Sequence, residues 1–195
     1  MSEIVKVFRE RVIAEGKNLG NGILKIDSFL NHQLDPQLMM LAGEFFAQKF
    51  GESKVDRILS AEVSGIAPAM ATGYKMNVPV VYARKTKPVT MFGPIFLETA
   101  PSHTKGMEVN LMVAAEFMQA NQRILIIDDF LASGKTLLSL VRMVREAECE
   151  LVGIGCVVEK TFEEGREKLS KYGVPIETIV KIDSMEDGQI ILADV

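Results

Sequence analysis

Cysteine is scarce in this sequence of 195 residues, and its scarcity excludes two kinds of site. Cys149 and Cys156 are the only cysteines, and their spacing fits neither a structural metal site nor a redox-active pair. We therefore expect two reduced thiols, the usual state in a cytosol. The predicted location is cytoplasmic.

Long apolar runs and excess positive charge are also missing. No segment reaches the roughly 20 apolar residues that a membrane-spanning helix needs, and charges interrupt the apolar residues at the amino terminus. Lys and Arg number 22 against 26 Asp and Glu, which gives a formal net charge of -4. Nonspecific nucleic-acid binding needs a basic surface. We therefore expect no membrane or nucleic-acid partner, and any phosphate site must be local.

The most informative segment is 123–136, which reads RILIIDDFLASGKT. Its branched apolar residues at 124–127 predict a buried parallel strand that stops at Asp128 and Asp129. Small residues follow, and an amphipathic helix is predicted to open at Thr136. Free N–H groups at a helix start bind phosphate, and carboxylates accept hydrogen bonds from sugar hydroxyls. The segment therefore predicts a site for a phosphorylated sugar, with its phosphate on the loop 132–136.

Two other interpretations of this segment are weaker. Residues 133–136, Ser-Gly-Lys-Thr, copy the end of the P-loop of NTPases, but the first glycine of that motif would fall at Asp129. Alternatively, the two acids simply end a strand in solvent. The carboxyl end of a buried parallel strand is, however, where such sheets bind ligands.

Strands and helices alternate in the predicted fold, which favours an α/β domain over residues 1–195 with a Rossmann-like central parallel sheet flanked by helices. One strand, loop and helix unit is predicted at 55–76, followed by a strand at 78–83. Its loop consists of Ala61, Glu62, Val63, Ser64 and Gly65. That loop is either a second anion site or a plain turn. A further strand is predicted at 151–158, with a polar turn starting at Glu159.

The alternation breaks over residues 84–106. Three cations stand at its start, Arg84, Lys85 and Lys87, and Gly and Pro residues follow among short apolar runs. A connection this long in a compact domain is usually a lid or a protruding hairpin. The alternative is a solvated run of charge.

The acid pair and the loop after it resemble the 5-phosphoribosyl 1-diphosphate (PRPP) motif of the type I phosphoribosyltransferases. The shared pattern is an apolar strand, two acids, two variable residues, a small residue, Ser or Thr, Gly, and Thr two places on. The resemblance implies the type I fold, PRPP as co-substrate, and Mg²⁺ held mainly by substrate and water without dedicated protein ligands. It also implies a homodimer, in which a mobile lid at 84–106 acts across the interface.

This resemblance further implies roles for individual residues. The catalytic set would be Asp128, Asp129, Arg84, Lys85 and Lys87. The PRPP-binding set would be Ala132, Ser133, Gly134, Lys135 and Thr136, together with the loop Ala61, Glu62, Val63, Ser64 and Gly65, which holds the diphosphate. In the family such loops often contain a cis peptide bond that does not involve proline.

The segment 24–33, LKIDSFLNHQ, resembles the bacterial xanthine phosphoribosyltransferases. In these enzymes the amino-terminal piece and the carboxyl-terminal strands form a hood over the purine, which implies a hood at 1–34 and 160–195. The implied base contacts are Leu24, Asn31, Phe130 and Lys160. Phe130 could equally be a core residue.

The chemistry of xanthine agrees with these contacts, because its two oxo groups need two hydrogen-bond donors. Lys160 can donate to the 6-oxo group and the Asn31 amide to the 2-oxo group. The same amide can turn its oxygen toward an amine, so guanine stays open. The predicted reaction transfers the phosphoribosyl group of PRPP to xanthine, giving xanthosine monophosphate and diphosphate. The alternatives are guanine or hypoxanthine transfer, and a non-catalytic PRPP-binding regulator.

Overall fold

The computed structural model describes residues 1–101 and 108–194, which form a central sheet flanked by helices. The α-helices are α1 (Glu3–Glu15), α2 (Pro36–Phe50), α3 (Ile66–Met76), α4 (Lys135–Glu146) and α5 (Gly165–Ser170). The strands are β1 (Lys17–Asn18), β2 (Leu24–Lys25), β3 (Arg57–Ala61), β4 (Val80–Ala83), β5 (Ile95–Pro101), β6 (Glu108–Ala114), β7 (Arg123–Leu131), β8 (Glu150–Lys160), β9 (Ile176–Ser184) and β10 (Ile191–Leu192). A π-helix, Asp27–Asn31, and a short 3-10 helix, Ala115–Phe117, complete the elements.

The central sheet has the strand order β10-β9-β8-β7-β3-β4. Its pairings are parallel except for β10 against β9. Residues 124–127 of β7 are fully buried, and alternate side chains enter opposite cores. Leu125 and Ile127 pack with α2 and α3, whereas Ile124 and Ile126 pack with α4. The predicted α/β class with a largely parallel sheet is confirmed.

The acid pair lies inside β7, so the prediction that the strand stops at the acids is wrong. The strand continues to Leu131 because β8 continues beside it, with Phe130 opposite Val158 and Leu131 opposite Glu159. For the same reason Glu159 belongs to β8 and does not start a turn. The next helix begins one residue earlier than predicted, at Lys135.

Two antiparallel hairpins lie beside the central sheet. β1 pairs with β2 near the amino terminus, and β5 pairs with β6 after the basic segment. The second hairpin joins the sheet where Arg84 and Met112 exchange backbone hydrogen bonds of 2.8 and 2.9 Å. The predicted lid at 84–106 therefore includes β5, and its residues 102–106 lie outside the described residues.

The two ends of the chain contact each other on one side of the sheet. Arg9 Nη1 donates to the Ala193 oxygen at 2.7 Å, and Asn18 Nδ2 donates to the oxygens of Met185 and Gln189 at 2.8 Å. These hydrogen bonds join α1 and β1 to the carboxyl-terminal segment 185–193. The hood at 1–34 and 160–195 stays a prediction.

Candidate active site

A cleft of about 410 Å³ lies where the carboxyl ends of the central strands meet the amino-terminal hairpin. It is lined by Asn21, Ile23, Leu24, Asn31, Ala61, Glu62, Ser64, Lys85, Val109, Leu111, Asp128, Asp129, Phe130, Ala132, Gly134, Lys135, Thr136, Leu137 and Lys160. Most of the residues singled out in the sequence are among them. Among the predicted site residues, those that do not line the cleft are Val63, Gly65, Arg84, Lys87 and Ser133.

Some lining residues were missed by the sequence analysis, namely Asn21, Ile23, Val109, Leu111 and Leu137. A signal existed for the first of these. Asn21 lies between two glycines, and all three residues have positive φ angles. The angles are 83° for Gly20, 50° for Asn21 and 71° for Gly22. Gly-Asn-Gly is a strong turn sequence, but nothing in it indicates which part of the sheet the turn will approach.

The Asp128 carboxyl group is held between two loops. Its residue is only 4% exposed, and it packs against Gly65 so closely that a Cβ there would overlap Asp128 Oδ1. The same Cβ would lie 2.5 Å from Ser60 Oγ. Burial, and then the neighbouring charge of Asp129, raises the pKa of Asp128 well above its usual value. Gly65 therefore serves the site by allowing Asp128 to approach the backbone.

Asp129 is fixed by two hydrogen bonds on different oxygens. Oδ1 accepts from the backbone N–H of Phe130 at 2.9 Å, and Oδ2 accepts from Asn31 Nδ2 at 2.9 Å. The second bond joins β7 to the π-helix that ends at Asn31. One acid therefore contacts the predicted base-binding residue directly.

The start of α4 lies where the sequence predicts an anion site. Gly134 precedes the helix with φ of +76°, and the first helical bond runs from the Leu138 N–H to the Gly134 oxygen at 2.8 Å. The N–H groups of residues 135–137 therefore lack acceptors within the helix. The loop before them is held from behind, because the Gly165 N–H donates to the Ala132 oxygen at 3.0 Å.

The second loop is tied to the start of the lid segment. Glu62 Oε1 accepts from the Lys85 backbone N–H at 2.6 Å, and Glu62 Oε2 lies 3.8 Å from Arg84 Nε. The Glu62–Val63 peptide bond is cis. A cis bond at this place agrees with the expectation from the resemblance. Lys85 and Lys87 are both exposed, and only Lys85 lines the cleft of its own chain.

Lys160 and Phe130 form the opposite side of the cleft. Lys160 Nζ donates to the Gly22 oxygen at 2.6 Å, lies 3.7 Å from Glu163 Oε1, and stands 5.6 Å from the centroid of the Phe130 ring. Phe130 both lines the cleft and packs against the core. This side therefore offers an ammonium group beside an aromatic face, which suits a planar base with oxo groups.

Protein ligands for a metal are not gathered at the site. Within residues 1–101 and 108–194, no group of three or more His, Cys, Asp or Glu could hold a metal ion. In the same described part of the chain, every helix is too short or too polar to cross a bilayer.

Comparison with known proteins identifies relatives over nearly the whole chain. The family model described as phosphoribosyl transferase domain matches residues 31–192. Xanthine phosphoribosyltransferase from Deinococcus deserti is 49% identical over 190 residues, covering 97% of this chain and 98% of that protein. The protein of the same name from Moorella thermoacetica is 42% identical over 187 residues, covering 96% and 95%.

Solved structures of adenine phosphoribosyltransferases share the fold. The structure from Giardia lamblia superposes with a TM-score of 0.76 at 18% identity, covering 94% of this chain and 99% of that one. The structure from Thermoanaerobacter pseudethanolicus gives 0.73 at 23% identity, covering 89% and 99%. Since the family model spans more than half of the sequence, and close relatives span nearly all of it, the chain belongs to the phosphoribosyltransferase family.

Proposed function

We propose that this protein transfers the 5-phosphoribosyl group of PRPP to xanthine, giving xanthosine 5′-monophosphate and diphosphate. One observation carries the proposal: a single cleft contains an acid pair, a free helix start and two side-chain donors, Lys160 and Asn31. The names and identities of the relatives from Deinococcus deserti and Moorella thermoacetica support the same substrate.

The acid pair and the helix start suit the two ends of the ribose phosphate. The 5-phosphate would accept hydrogen bonds from the N–H groups of residues 135–137, where the helix dipole favours negative charge. The ribose hydroxyls would donate to Asp128 and Asp129, which line the same cleft. The diphosphate would lie toward loop 61–65 and Lys85. Arg84 and Lys87 would supply further positive charge when the lid closes.

In the reaction, a ring nitrogen of xanthine bonds to the anomeric carbon while the bond from that carbon to diphosphate breaks. The nitrogen then releases its proton. Positive charge develops on the ribose ring in the transition state, so fixed carboxylates beside the ring lower the barrier. Asp128 suits this role because burial makes its ionised form costly until a positive charge faces it. Alignment of the two substrates supplies the remainder.

Mg²⁺ belongs to the proposal as an ion held by substrate and water. Oxygen atoms are the ligands that Mg²⁺ prefers, and the ion usually keeps several water ligands. Asp128 and Asp129, which line the same cleft, would be the carboxylates that help to hold it. When bound, the ion neutralises the charge of the leaving diphosphate.

Base recognition would use the hood side of the cleft. Phe130 would pack on the purine face, Lys160 would donate to the 6-oxo group, and Asn31 would donate to the 2-oxo group, with Leu24 against the base. Lys160 already donates to the Gly22 oxygen, so a base would compete for or share this ammonium group. The ammonium has three donors, which allows both contacts at once.

A panel of purines tests the proposal. The protein is mixed with PRPP, Mg²⁺ and, in turn, xanthine, guanine, hypoxanthine or adenine, and released diphosphate is measured. We expect the highest kcat/KM with xanthine. A higher kcat/KM with guanine or hypoxanthine would show that this purine, and not xanthine, is the substrate. Binding of PRPP without release of diphosphate in the presence of any purine would indicate a regulator.

We also propose that the protein is a homodimer. An apolar stripe is exposed on α3 and the loop before it, where Val63, Met70 and Tyr74 are 73%, 61% and 76% exposed. Such a stripe offers an apolar surface to a second copy, and we propose that the lid of one copy then acts on the cleft of the other. Sedimentation equilibrium measures the mass. Mixing Lys87→Ala chains with Asp128→Asn chains tests whether the lid acts across the interface. Activity returns only if Lys87 of one chain acts on the cleft of the other, which then contains an intact Asp128.

A further inference from the structure

We infer that Asp129 determines the base specificity by fixing the Asn31 amide with its nitrogen toward the acid pair, so that the site favours a 2-oxo over a 2-amino purine. This inference rests on the proposed function and deepens it. In the sequence alone, Asn31 can present either its N–H or its oxygen to a base. The hydrogen bond from Asn31 Nδ2 to Asp129 Oδ2, at 2.9 Å, removes that freedom.

Both partners of this hydrogen bond are held in place by other contacts. The second oxygen of Asp129 accepts from the Phe130 N–H at 2.9 Å, which fixes the plane of the carboxylate. Asn31 ends the π-helix, in which the preceding Phe29 and Leu30 are 0% and 1% exposed. The Asp129 carboxylate and the backbone at Asn31 are therefore fixed, and the exposed Asn31 side chain is oriented by its hydrogen bond to Asp129.

The orientation of the amide follows from the acceptor it faces. A carboxylate only accepts hydrogen bonds, so the Asn31 amide must turn its NH₂ group toward Asp129. Flipping the amide would place Asn31 Oδ1 against Asp129 Oδ2, and two acceptors would then face each other at the distance of a hydrogen bond. A hydrogen bond to a charged group corresponds to roughly 10- to 100-fold in an equilibrium, so the flipped form is rare.

The fixed amide meets the purine at the position that distinguishes the bases. Carbon 2 lies on the same edge of the purine as the nitrogen beside the glycosidic bond, hence on the sugar side. Asp129 would accept hydrogen bonds from the ribose hydroxyls. The sugar-side edge of the purine therefore approaches the NH₂ end of the Asn31 amide, which faces Asp129. The second N–H of Nδ2 can donate to a 2-oxo group, whereas a 2-amino group brings a donor against a donor. Hypoxanthine has only hydrogen at this position and is insensitive to the orientation.

Asp129→Asn is the direct test. An asparagine at 129 keeps its oxygen for the Phe130 N–H and turns its NH₂ group toward Asn31, which favours the flipped Asn31 amide. With saturating PRPP and Mg²⁺, we expect the xanthine-to-guanine ratio of kcat/KM to fall by about tenfold. The same variant should bind the ribose more weakly, which lowers kcat/KM with every base. The fall in kcat/KM with hypoxanthine measures this loss, because hypoxanthine does not sense the orientation of Asn31.

Asp128→Asn is the matched control, because it makes the same change at the neighbouring acid, which does not appear among the hydrogen-bond partners of Asn31 in the described residues. It is expected to lower activity with xanthine and guanine equally. Asn31→Ala should abolish the preference by itself, and adding Asp129→Asn to it should leave the ratio unchanged. That second result shows that Asp129 acts through Asn31.

Folding of each variant is checked by thermal unfolding, and Asp129→Ser, whose hydroxyl also donates and accepts, replaces Asp129→Asn if the latter does not fold. Calorimetric binding of the xanthine and guanine nucleotides gives the same ratio where turnover is too slow. An Asp129→Asn ratio within twofold of wild type, an equal change in Asp128→Asn, or a wild type without preference for xanthine over guanine overturns the inference. Diphosphate release with xanthine by the wild type tests the proposed function separately.

Discussion

At the scale of single residues, Asp128 couples the chemistry of the site to the stability of the fold. The carboxyl group is desolvated, packs against Gly65 and stands next to a second acid. Burial and, after it, the charge of Asp129 penalise its ionised form. A group that is held in this way lowers the stability of the free protein and is useful only when substrate brings positive charge to it.

The change Asp128→Asn is therefore expected to separate activity from stability. We expect kcat/KM with xanthine to fall roughly 100- to 1000-fold, the usual cost of losing one preorganised electrostatic group. The free energy of unfolding at neutral pH should equal or exceed that of the wild type, because a neutral amide needs no desolvation of charge. Kinetics and denaturant unfolding of both proteins measure the two effects.

The pH dependence of that difference has a definite sign. The folded-state pKa of Asp128 is raised above the unfolded value of 3.8, so the wild type carries its penalty at pH values above the folded pKa. The penalty declines as the pH falls through the folded pKa and is absent below about 3.8. The stability advantage of the variant should shrink in the same interval. An advantage that grows toward low pH would contradict the assignment.

Glu159 is the opposite case, a buried acid that stabilises the fold. Arg166 Nη2 and Thr178 Oγ1 both donate to Glu159 Oε2 at 2.7 Å, and Arg166 Nε donates to its other oxygen. Burial raises the pKa of Glu159, but the hydrogen bonds from Arg166 and Thr178 outweigh it, so that the pKa lies below the usual 4.5. The interaction joins α5 to β8 and β9, directly before Lys160.

Removing the guanidinium with Arg166→Leu should lower the free energy of unfolding by about 3 kcal/mol, because it leaves a buried carboxylate uncompensated. The wild-type stabilisation is complete above pH 4.5 and is lost as the pH falls through the lowered folded pKa, whereas the variant should recover stability as Glu159 is protonated. Denaturant unfolding at several pH values measures this. Lys168→Leu, on an exposed pair of the same helix, is the control and should change less than about 1 kcal/mol.

The limits of sequence interpretation at this scale are clear for Asn31. Adjacent acids after an apolar run were recognisable because their spacing is local. The hydrogen bond between Asn31 and Asp129 joins residues 98 positions apart. No local pattern indicates that contact, although it decides which way the amide points.

At the scale of elements, α5 supports the anion loop from outside the cleft. Gly165, its first residue, donates to the Ala132 oxygen at 3.0 Å, and its Cα lies 2.9 Å from where a Cβ on Gly134 would stand. A Cβ on Gly165 would overlap the Ala132 oxygen and approach the Gly134 nitrogen to 2.8 Å. The loop and the helix can meet only because both positions are glycine.

We therefore expect Gly165→Ala to displace the amides that we propose to bind the phosphate. The KM for PRPP should rise by at least about tenfold, because small misplacements of binding groups are costly. The xanthine-to-guanine ratio should stay unchanged, since the base side is untouched. Steady-state kinetics with varied PRPP measure both quantities. Ser170→Ala, at the exposed end of the same helix, should behave as wild type, and an unchanged KM in Gly165→Ala would refute the supporting role.

Element boundaries were predictable where periodicity was strong and unpredictable where pairing decided them. The helix at 66–76 and the buried centre of β7 follow from their apolar patterns. The continuation of β7 and β8 past residue 128 depends on each strand pairing with the other. The strand at Leu24–Lys25 and the π-helix after it depend in the same way on hairpin pairing and core contacts.

At the scale of the whole molecule, the two thiols report different motions. Cys149 is partly exposed, whereas Cys156 is fully buried on β8, opposite Asp128. Burial raises the pKa of both thiols, that of Cys156 much further. Cys149 should therefore react with a disulfide reagent at pH 8 in the native protein, and Cys156 should react only when the sheet opens.

Ligand binding should slow the second reaction. PRPP with Mg²⁺ at 100 times its dissociation constant stabilises the folded form by about 2.7 kcal/mol, which corresponds to roughly 100-fold slower labelling of Cys156 through global opening. Mass spectrometry of labelled peptides measures each thiol separately, and Cys149→Ser isolates the buried one. Rapid native labelling of Cys156, or a rate indifferent to PRPP, would contradict this account.

The fold of the whole molecule was predictable because a parallel sheet covered on both faces leaves a strong apolar pattern, as in residues 124–127. The approach of the amino-terminal hairpin to the sheet was not predictable from such a pattern, since Gly22 and Lys160 meet through a long-range contact alone.

The central claim is that the ribose phosphate lies between the acid pair and the start of α4. A crystal structure of the protein with xanthosine 5′-monophosphate tests it most directly. The account predicts the phosphate on the N–H groups of residues 135–137, the ribose hydroxyls on Asp128 and Asp129, and the base between Phe130 and Lys160. A nucleotide bound with its phosphate away from α4, or with its sugar out of reach of both carboxylates, would contradict the account.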